Sequence, residues 1–408
     1  MKPKVAMVAP AYMPAEAFGG PVQAIAAIAK ILVERGYGVR VFTTDVRDPL
    51  RPRSETPLLS HEHLDGVDVE RERPVAFIAG YWVTPKLFSR LVSENSDLIF
   101  AHCARSFQLD IAALASFVLR KPLIVAPHGS VYSYKLFRGG LRRPLYVVHN
   151  AALKLVFKQA KRIVATSQEE VRQISRFGAN MAKVVLIPNF VEESEFSSLP
   201  ARGGFRQNYG LTGNVKIILF VGRMARVKGL ETLLGAFSEV VKSRDDVWLV
   251  LVGPDGGYYK QIVDLSQKLK CSHRVITPGP LYGDRKLEAF VDSDIVVMPS
   301  DYESFGIVAL EAFGCGKPVV GARVGGLQEL IIPDHTGLLF QRGNKVELGS
   351  ILKSLLDRPD FVNEMGRNAR DFVLERYSDR SVGQQVLRLC DEVSGSREAK
   401  SVLVSPPS

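Results

Sequence analysis

Two glutamates, Glu303 and Glu311, bracket the mostly apolar run ESFGIVALE, eight positions apart. Carboxylates at a fixed spacing can serve as a general acid and base, as a metal pair, or as two separate contacts on one long ligand. On one helix, eight residues would part the two backbones by roughly 12 Å. The carboxylates of a glycoside hydrolase stand about 5 to 9.5 Å apart, so a single reacting bond fits poorly. A helix beginning after Ser304 accounts for the pattern, because Gly306 is a poor interior residue and Val308, Ala312 and Cys315 share one face. Glu303 then lies in the entering loop, and Glu311 about one and a half turns inside the helix. Between them the backbone amides of Phe305, Gly306 and Ile307 form a ready anion site. This arrangement suits an elongated ligand with phosphate in the middle and hydroxyl-rich groups at both ends, the shape of a nucleotide sugar. The same residues also fit a helix with an N-terminal acid favoured by the dipole and one solvated glutamate, and spacing alone leaves both open.

The chain that carries these residues has a globular composition, 46% hydrophobic and 24% charged, and its 408 residues exceed one ordinary core. No apolar run approaches the roughly 18 residues of a membrane span. The start, MKPKVAMVAPAYMP, places lysines before a short apolar patch. Pro10 and Pro14 break that patch and no convincing cleavage site follows, so a first β-strand is expected rather than a signal peptide. Cys103, Cys271, Cys315 and Cys390 are scattered without metal-ligand spacing, which reads as reduced thiols in a cytoplasmic protein. The net charge of +10 is uneven: residues 101–168 hold eleven Lys or Arg against one acid, Asp110. Such a field draws anionic membrane, nucleic acid or phosphorylated substrates. Within it, residues 130–162 interleave cations with Tyr132, Tyr134, Phe137, Tyr146 and Phe157, a candidate surface for an anionic leaflet on the cytoplasmic membrane face. A solvated helix face with its aromatics in the core fits equally. No nucleic-acid-binding module accompanies the charge, so nucleic acid is not expected as a partner.

The elements that must position the glutamates read as α/β. KVAMVA (4–9), VRVFTT (39–44), DLIFAH (97–102), PLIVAP (122–127), RIVATS (162–167) and KVVLIP (183–188) are continuous apolar runs, as in parallel sheets buried on both faces. A Gly-Gly loop and the helix VQAIAAIAKILVERG separate the first two, with Gly36 suited to the helix end. The stretch 45–74 is charged, proline-containing and irregular, an expected surface excursion. The pattern restarts at VKIILFVG (215–222) after the polar segment 192–214. Helices at 229–243, 258–270 and 284–292 then alternate with the strands VWLVLVG, RVIT, DIVVMPS and PVVGA. Two doubly wound Rossmann-like domains are therefore expected, at 1–195 and 196–378. A helix at 379–393 is expected to pack back on the first domain, and 394–408 to be a flexible tail. Ligands of such sheets bind at the carboxyl ends of the strands, so the domains are expected to face one another across a cleft.

At this point the residues resemble a family. MPSDYESFGIVALEAFGCGKPVVGARVGGLQELI (298–331) resembles the donor-site signature of retaining glycosyltransferases of the two-Rossmann-domain (GT-B) type, family 4-like, whose two glutamates are separated by seven residues. FVGRMARVKGLETLLGAF (220–237) is similar to the Gly-Arg…Lys-Gly segment of the same family. The likeness is dense in the second half and diffuse in the first. It implies an acceptor-side first domain and a second domain that binds the nucleotide sugar, with no resident metal or cofactor. Arg223 and Lys228 would turn their cations toward the diphosphate, one as a fork and one as a point charge. Glu311 would accept the ribose hydroxyls and Glu303 hydroxyls of the donor sugar. Gly325 and Gly326 would allow close backbone approach at another helix start, although a simple loop explains them as well. Gly19 and Gly20, in FGGP, resemble the glycine pair that faces the diphosphate; they form no G-x-G-x-x-G fingerprint, and a plain turn also accounts for them. His128, in APHGS at a strand end, matches the family's active-site histidine beside the reacting sugar. IPNFVEE departs from the family's Asn-Gly-hydrophobic-acidic segment, with Phe190 for glycine and Glu192 for the usual aspartate, so Asn189 carries no role.

Two other motifs lead elsewhere. DSD (292–294) mimics a metal motif of another glycosyltransferase fold but ends a helix, and reads as a helix-to-strand turn. GPDGGYY (253–259) lacks the Gly-Lys-Ser/Thr ending of a phosphate loop. The resulting expectation is retaining transfer of a hexose from a UDP- or GDP-sugar to a hydroxyl of a glycan or lipid-linked acceptor, in polysaccharide or glycolipid assembly of the bacterial type. A sugar-nucleotide epimerase or hydrolase on the same architecture would act without an acceptor. A nucleotide-sugar-binding partner without catalysis would need no residue at the reacting carbon.

Overall fold

The computed structural model describes residues 2–50, 57–78, 81–131 and 143–395, with backbone only at 143–146. It divides into two compact units, Met1–Asn189 with Asp379–Ser408, and Phe190–Ser378.

The strands of the first unit are β1 (Lys4–Val8), β2 (Gly38–Thr44), β3 (His61–Leu64), β4 (Val67–Glu72), β5 (Ala76–Ile78), β6 (Tyr81–Val83), β7 (Leu98–His102), β8 (Leu123–Ala126), β9 (Arg162–Ala165) and β10 (Val184–Leu186). Eight of them form one sheet in the order β10-β9-β8-β7-β1-β2-β4-β3, parallel except for β3. β1, β7 and β8 are buried almost throughout, which is why their apolar runs are continuous. The helix Gly20–Glu34 buries Val22, Ile25, Ile28 and Leu32 along one stripe.

Within the stretch 45–74, residues 61–72 are more ordered than the composition predicts. β3 and β4 form a hairpin in which Leu64 opposes Val67, and Asp65 and Gly66 turn with φ of 49° and 81°. Asp-Gly is the dipeptide such a two-residue turn demands. Its charged flanks, His61, Glu62, Asp68 and Glu70, mask the signal because the outermost strands of a sheet carry charge.

The second unit holds β11 (Lys216–Val221), β12 (Val247–Val252), β13 (Val275–Gly279), β14 (Ile295–Met298), β15 (Val319–Ala322) and β16 (Gly337–Phe340), all parallel in the order β13-β12-β11-β14-β15-β16. Alternate residues of β11 feed two cores. Ile217 and Leu219 pack with Phe290, Leu310 and Phe313, while Ile218 and Phe220 pack with Leu233, Phe237 and Leu352. Each such side chain contributes about 1.5–3 kcal/mol by leaving water.

The units part at 189/190, six residues before the boundary expected from the sequence. Segment 190–196 joins the second unit because Val191 N donates to Tyr377 O at 2.9 Å, Phe196 is buried, and Arg370 donates to Phe196 O at 2.6 Å. The helix Asp379–Ser394 belongs to the first unit, where Tyr37 Oη donates to Asp391 Oδ1 at 2.5 Å. Of the expected tail, 396–408 lies outside the described residues. Among the described residues no helix is long and apolar enough to cross a membrane.

Candidate functional site

Strand order reverses direction between β11 and β14 in the second unit, and between β1 and β7 in the first. Loops splay apart at such switch points and leave a crevice at the carboxyl ends of the strands.

Two loops meet at the β11/β14 point. The first leaves β11 through Arg223 and reaches Lys228 and Gly229; the second leaves β14 through Pro299 and Ser300 to Glu303. Gly229 makes their contact possible: its φ is 65°, and a Cβ there would lie 1.9 Å from Pro299 O. Asp301 N donates to Val227 O at 2.8 Å and locks the pair. Lys228 Nζ then reaches Glu303 Oε2 at 2.7 Å, with Ser300 Oγ at 3.4 Å from the same oxygen. A third loop, after β15, holds the Glu303 backbone from another side, where Gly326 N donates to Glu303 O at 3.1 Å. A Cβ on Gly325 would stand 1.8 Å from that oxygen, so this glycine is required by close approach rather than by a simple loop.

The helix after Glu303 runs Ile307–Gly314, starting later than expected because Gly306 adopts φ 110°, outside helical space. Glu311 sits in its second turn, buried, and its Oε1 accepts from Lys286 Nζ at 2.7 Å. Each glutamate of the spaced pair therefore has a lysine of its own. Lys286 was missed by the sequence: it lies on the helix Gly283–Asp292, and no spacing links it to Glu311. Burial, with Glu311 nearby, pushes the Cys315 thiol up to about 12.

The two lookalike motifs have structural work. Asp255 Oδ1 accepts the amides of Gly257, Tyr258 and Tyr259, while Met224 N donates to Pro254 O at 2.9 Å, so GPDGGYY braces the loop that carries Arg223. In DSD, Asp292 accepts from Gly203 N and Arg206 N at 2.6 and 2.9 Å, and Asp294 from Ile217 N at 2.8 Å.

In the first unit, Gly19 turns at φ 85° into the helix that begins with Gly20. His128 follows β8 with φ 50°, and its Nε2 stands 3.0 Å from Nδ1 of His102, the last residue of β7. Phe100 stacks on His102 at 4.4 Å. Burial disfavours the imidazolium of both, pulling His128 down to about 4 and His102 well below its usual value. Glu170, also buried, accepts the Gly129 amide on one carboxylate oxygen and Thr166 N and Oγ1, both at 2.8 Å, on the other. It ties the His128–Gly129 turn to the end of β9. His102 and Glu170 were both missed by the sequence, although His102 shares with His128 the carboxyl end of a strand.

Of the candidate basic surface, residues 132–142 lie outside the described residues, and so does the side chain of Tyr146. Phe157 is core, not interface aromatic.

Comparison with known proteins gives the family of the chain. The model of glycosyltransferase family 4 matches residues 18–195, and that of glycosyl transferases group 1 matches 202–372. The chain is 28% identical over 400 residues to an uncharacterized glycosyltransferase of Methanocaldococcus jannaschii, covering 95% of this chain and 97% of that one. It is 30% identical over 387 residues to D-inositol 3-phosphate glycosyltransferase of Kineococcus radiotolerans, covering 86% and 85%. In fold it resembles Anabaena HepE in complex with UDP-glucose, with a TM-score of 0.78, 22% identity, and 96% and 100% of the two chains covered. The chain belongs to the glycosyltransferases of the two-Rossmann-domain (GT-B) fold that join a family 4 amino-terminal half to a group 1 carboxyl-terminal half.

Proposed function

We propose that the protein transfers a hexose-type sugar from a UDP- or GDP-sugar to an acceptor hydroxyl, with retention at the anomeric carbon. The observation that carries this reading is the pair of carboxylates on either side of the start of the helix Ile307–Gly314, each held by its own lysine at the switch point of the sheet. Glu311 takes the ribose hydroxyls and Glu303 hydroxyls of the sugar, and the amides of Phe305, Gly306 and Ile307 take the diphosphate. In the first unit, His128 contacts the sugar and Gly19 and Gly20 approach the diphosphate. HepE, a neighbour in fold, was solved with UDP-glucose, which supports a nucleotide sugar as donor.

The bond that breaks joins the anomeric carbon to the diphosphate oxygen, and its electron pair leaves with the nucleoside diphosphate. Arg223, Lys228 and the helix start neutralise that charge, and no divalent cation is needed if they suffice. The acceptor oxygen attacks on the face the diphosphate leaves, and its proton passes to the departing oxygen. No carboxylate then acts as nucleophile. A glycan or a lipid-linked glycan is the acceptor, which places the enzyme in polysaccharide or glycolipid assembly.

A thermal-stability screen of UDP- and GDP-sugars names the donor, since binding shifts the folding equilibrium by mass action. NMR of the product reads the anomer, and an inverted linkage would sink the mechanism. Activity surviving EDTA supports metal independence; loss restored by Mg²⁺ or Mn²⁺ refutes it. Conversion of donor without acceptor, followed by mass spectrometry, would favour the epimerase or hydrolase instead.

A further inference from the structure

Backbone strain in the first unit gathers beside its two neighbouring histidines. Among the described residues, seven that are not glycine take a left-handed φ. Asp65, Arg120, Lys270 and Asp334 occupy turns or helix ends, where such a φ is common. The other three, Cys103 at 65°, Arg105 at 58° and His128 at 50°, lie just past the carboxyl ends of β7 and β8. Residues of this kind cost free energy and persist where the surrounding contacts over-determine them. Here Cys103 N donates to Ala126 O at 2.9 Å, Ala104 N donates to Pro127 O at 3.3 Å, and Glu170 holds the Gly129 amide. The two turns are thereby fixed to each other and to β9.

The rings of His102 and His128 are fixed in turn. Nδ1 of His102 and Nε2 of His128 stand 3.0 Å apart. The ring centroids are 5.3 Å apart and the planes inclined by 25°, so the rings meet nitrogen to nitrogen, as an N–H···N bond requires. Burial keeps both rings neutral. A neutral imidazole carries hydrogen on one nitrogen and a lone pair on the other. One ring therefore donates and keeps a bare lone pair on its far nitrogen, while the accepting ring keeps an N–H on its own. Those far nitrogens, His102 Nε2 and His128 Nδ1, are both buried without a hydrogen-bond partner.

What can reach each far nitrogen decides between them, because an orphaned buried N–H is rarer in folded proteins than an under-satisfied acceptor. His102 is fully buried and stacked on Phe100, so an N–H at its Nε2 would stay orphaned. His128 keeps 9% of its exposure at the carboxyl end of the sheet, the end at which ligands of such folds arrive. We infer that His102 is a positioning residue that donates from Nδ1 to His128 Nε2 and so fixes His128 as the Nδ1–H tautomer. A tautomer set by the bond at the opposite ring nitrogen is a general device of histidine sites. His128 then meets its ligand as a donor, and the atom it takes is an oxygen with a free lone pair. Resting on the proposed function, that atom is a hydroxyl oxygen of the donor sugar. A sugar lacking that hydroxyl would leave the N–H unpaired and be rejected.

The tautomer is read by NMR of the full chain labelled with nitrogen-15 histidine, free of any sugar, at pH 7. His102→Asn and His128→Gln assign the two rings by the signals they remove. Hydrogen on Nδ1 of both rings is expected; hydrogen on His128 Nε2, or on both nitrogens of either ring, would overturn the inference. The positioning role is read from two variants of one shape, of which only Asn offers an N–H near the place of Nδ1. His102→Asp should draw the His128 hydrogen to Nε2 and lower turnover about tenfold, the loss of one buried hydrogen bond. His102→Asn should keep the tautomer and recover most of that loss, and equal turnover of the two would overturn the positioning role. Should the Asp variant not fold, as circular dichroism reports, His102→Leu replaces it with the same expected loss. A wild-type chain that shows the Nδ1–H tautomer but transfers no sugar would sink the proposed function alone.

Discussion

At the carboxyl ends of its strands the second unit carries full charges in pairs, Lys228 with Glu303 and Lys286 with Glu311, both at 2.7 Å. The first unit carries at the matching place two neutral imidazoles, 3.0 Å apart, and a backbone turn tied to a buried carboxylate. The difference follows solvent. The side chains of Lys228 and Glu303 keep 23% and 15% of their exposure, enough for a ligand's hydroxyls and phosphates to enter the charge network. His102 is fully buried, where a charge would lose its hydration with nothing to replace it. Under the proposed function, charge recognises the polar ligand in one unit, while burial and hydrogen bonding organise the other.

The contrast breaks most sharply at Lys228. Under the proposed function Lys228→Ala removes a cation from the leaving diphosphate and takes the lysine partner from Glu303, so turnover should fall roughly 10²–10³-fold, read as nucleoside diphosphate release. Unchanged turnover would mean that the charge pairs of the second unit are scaffolding.

The neutral half of the comparison is tested by acid. The His128 pKa is depressed from 6.5 to about 4, so its contribution to stability is complete above 6.5 and is lost as the pH falls from there toward 4. The full shift corresponds to at most about 3 kcal/mol. His102 from β7 acts in the same sense, and Glu170, raised by burial, in the opposite one. Urea unfolding at pH 7 and pH 5, followed by Trp82 in a Trp248→Phe background, isolates the first unit. His128→Gln should flatten the acid loss, and an undiminished loss would show that His128 does not cause it.

A smaller effect belongs to Glu311. Glu311→Ala should weaken nucleotide binding by roughly 1–3 kcal/mol in titration calorimetry with UDP and GDP, as lost hydroxyl contacts require; wild-type affinity would remove Glu311 from the site. Smallest of all is the ion pair between Arg162 and Glu392 in the first unit, where Glu392 is 46% exposed. Glu392→Ala should change stability by less than about 1 kcal/mol by urea unfolding. A larger loss would mean that charge pairing matters in the first unit as well.

The legibility of the molecule follows the same divide. Glu303, Glu311, Arg223 and Lys228 stand out because charged residues flank strand ends and a helix start at short spacings. Lys286, His102 and Glu170 do not, because each meets its partner from another element: Lys286 lies 25 positions from Glu311, and His102 lies 26 from His128. The β3–β4 hairpin was hidden by its charged flanks despite its Asp-Gly turn. The start of the helix after Glu303 was misplaced because the left-handed turn of Gly306 is set by the neighbouring loops.

Composition and periodicity by themselves determined two α/β units, most of the strands that build them, and the spacing of the Glu303–Glu311 pair. Apolar runs and local spacing suffice for that, because burial and helix geometry act along the chain. Only the tertiary structure decided which lysine holds which glutamate, which loops touch through Gly229 and Gly325, and that a ring nitrogen of His128 stands 3.0 Å from one of His102. Those are contacts between distant segments, and the approach of two backbones within van der Waals range is a property of the packed fold that no local pattern encodes.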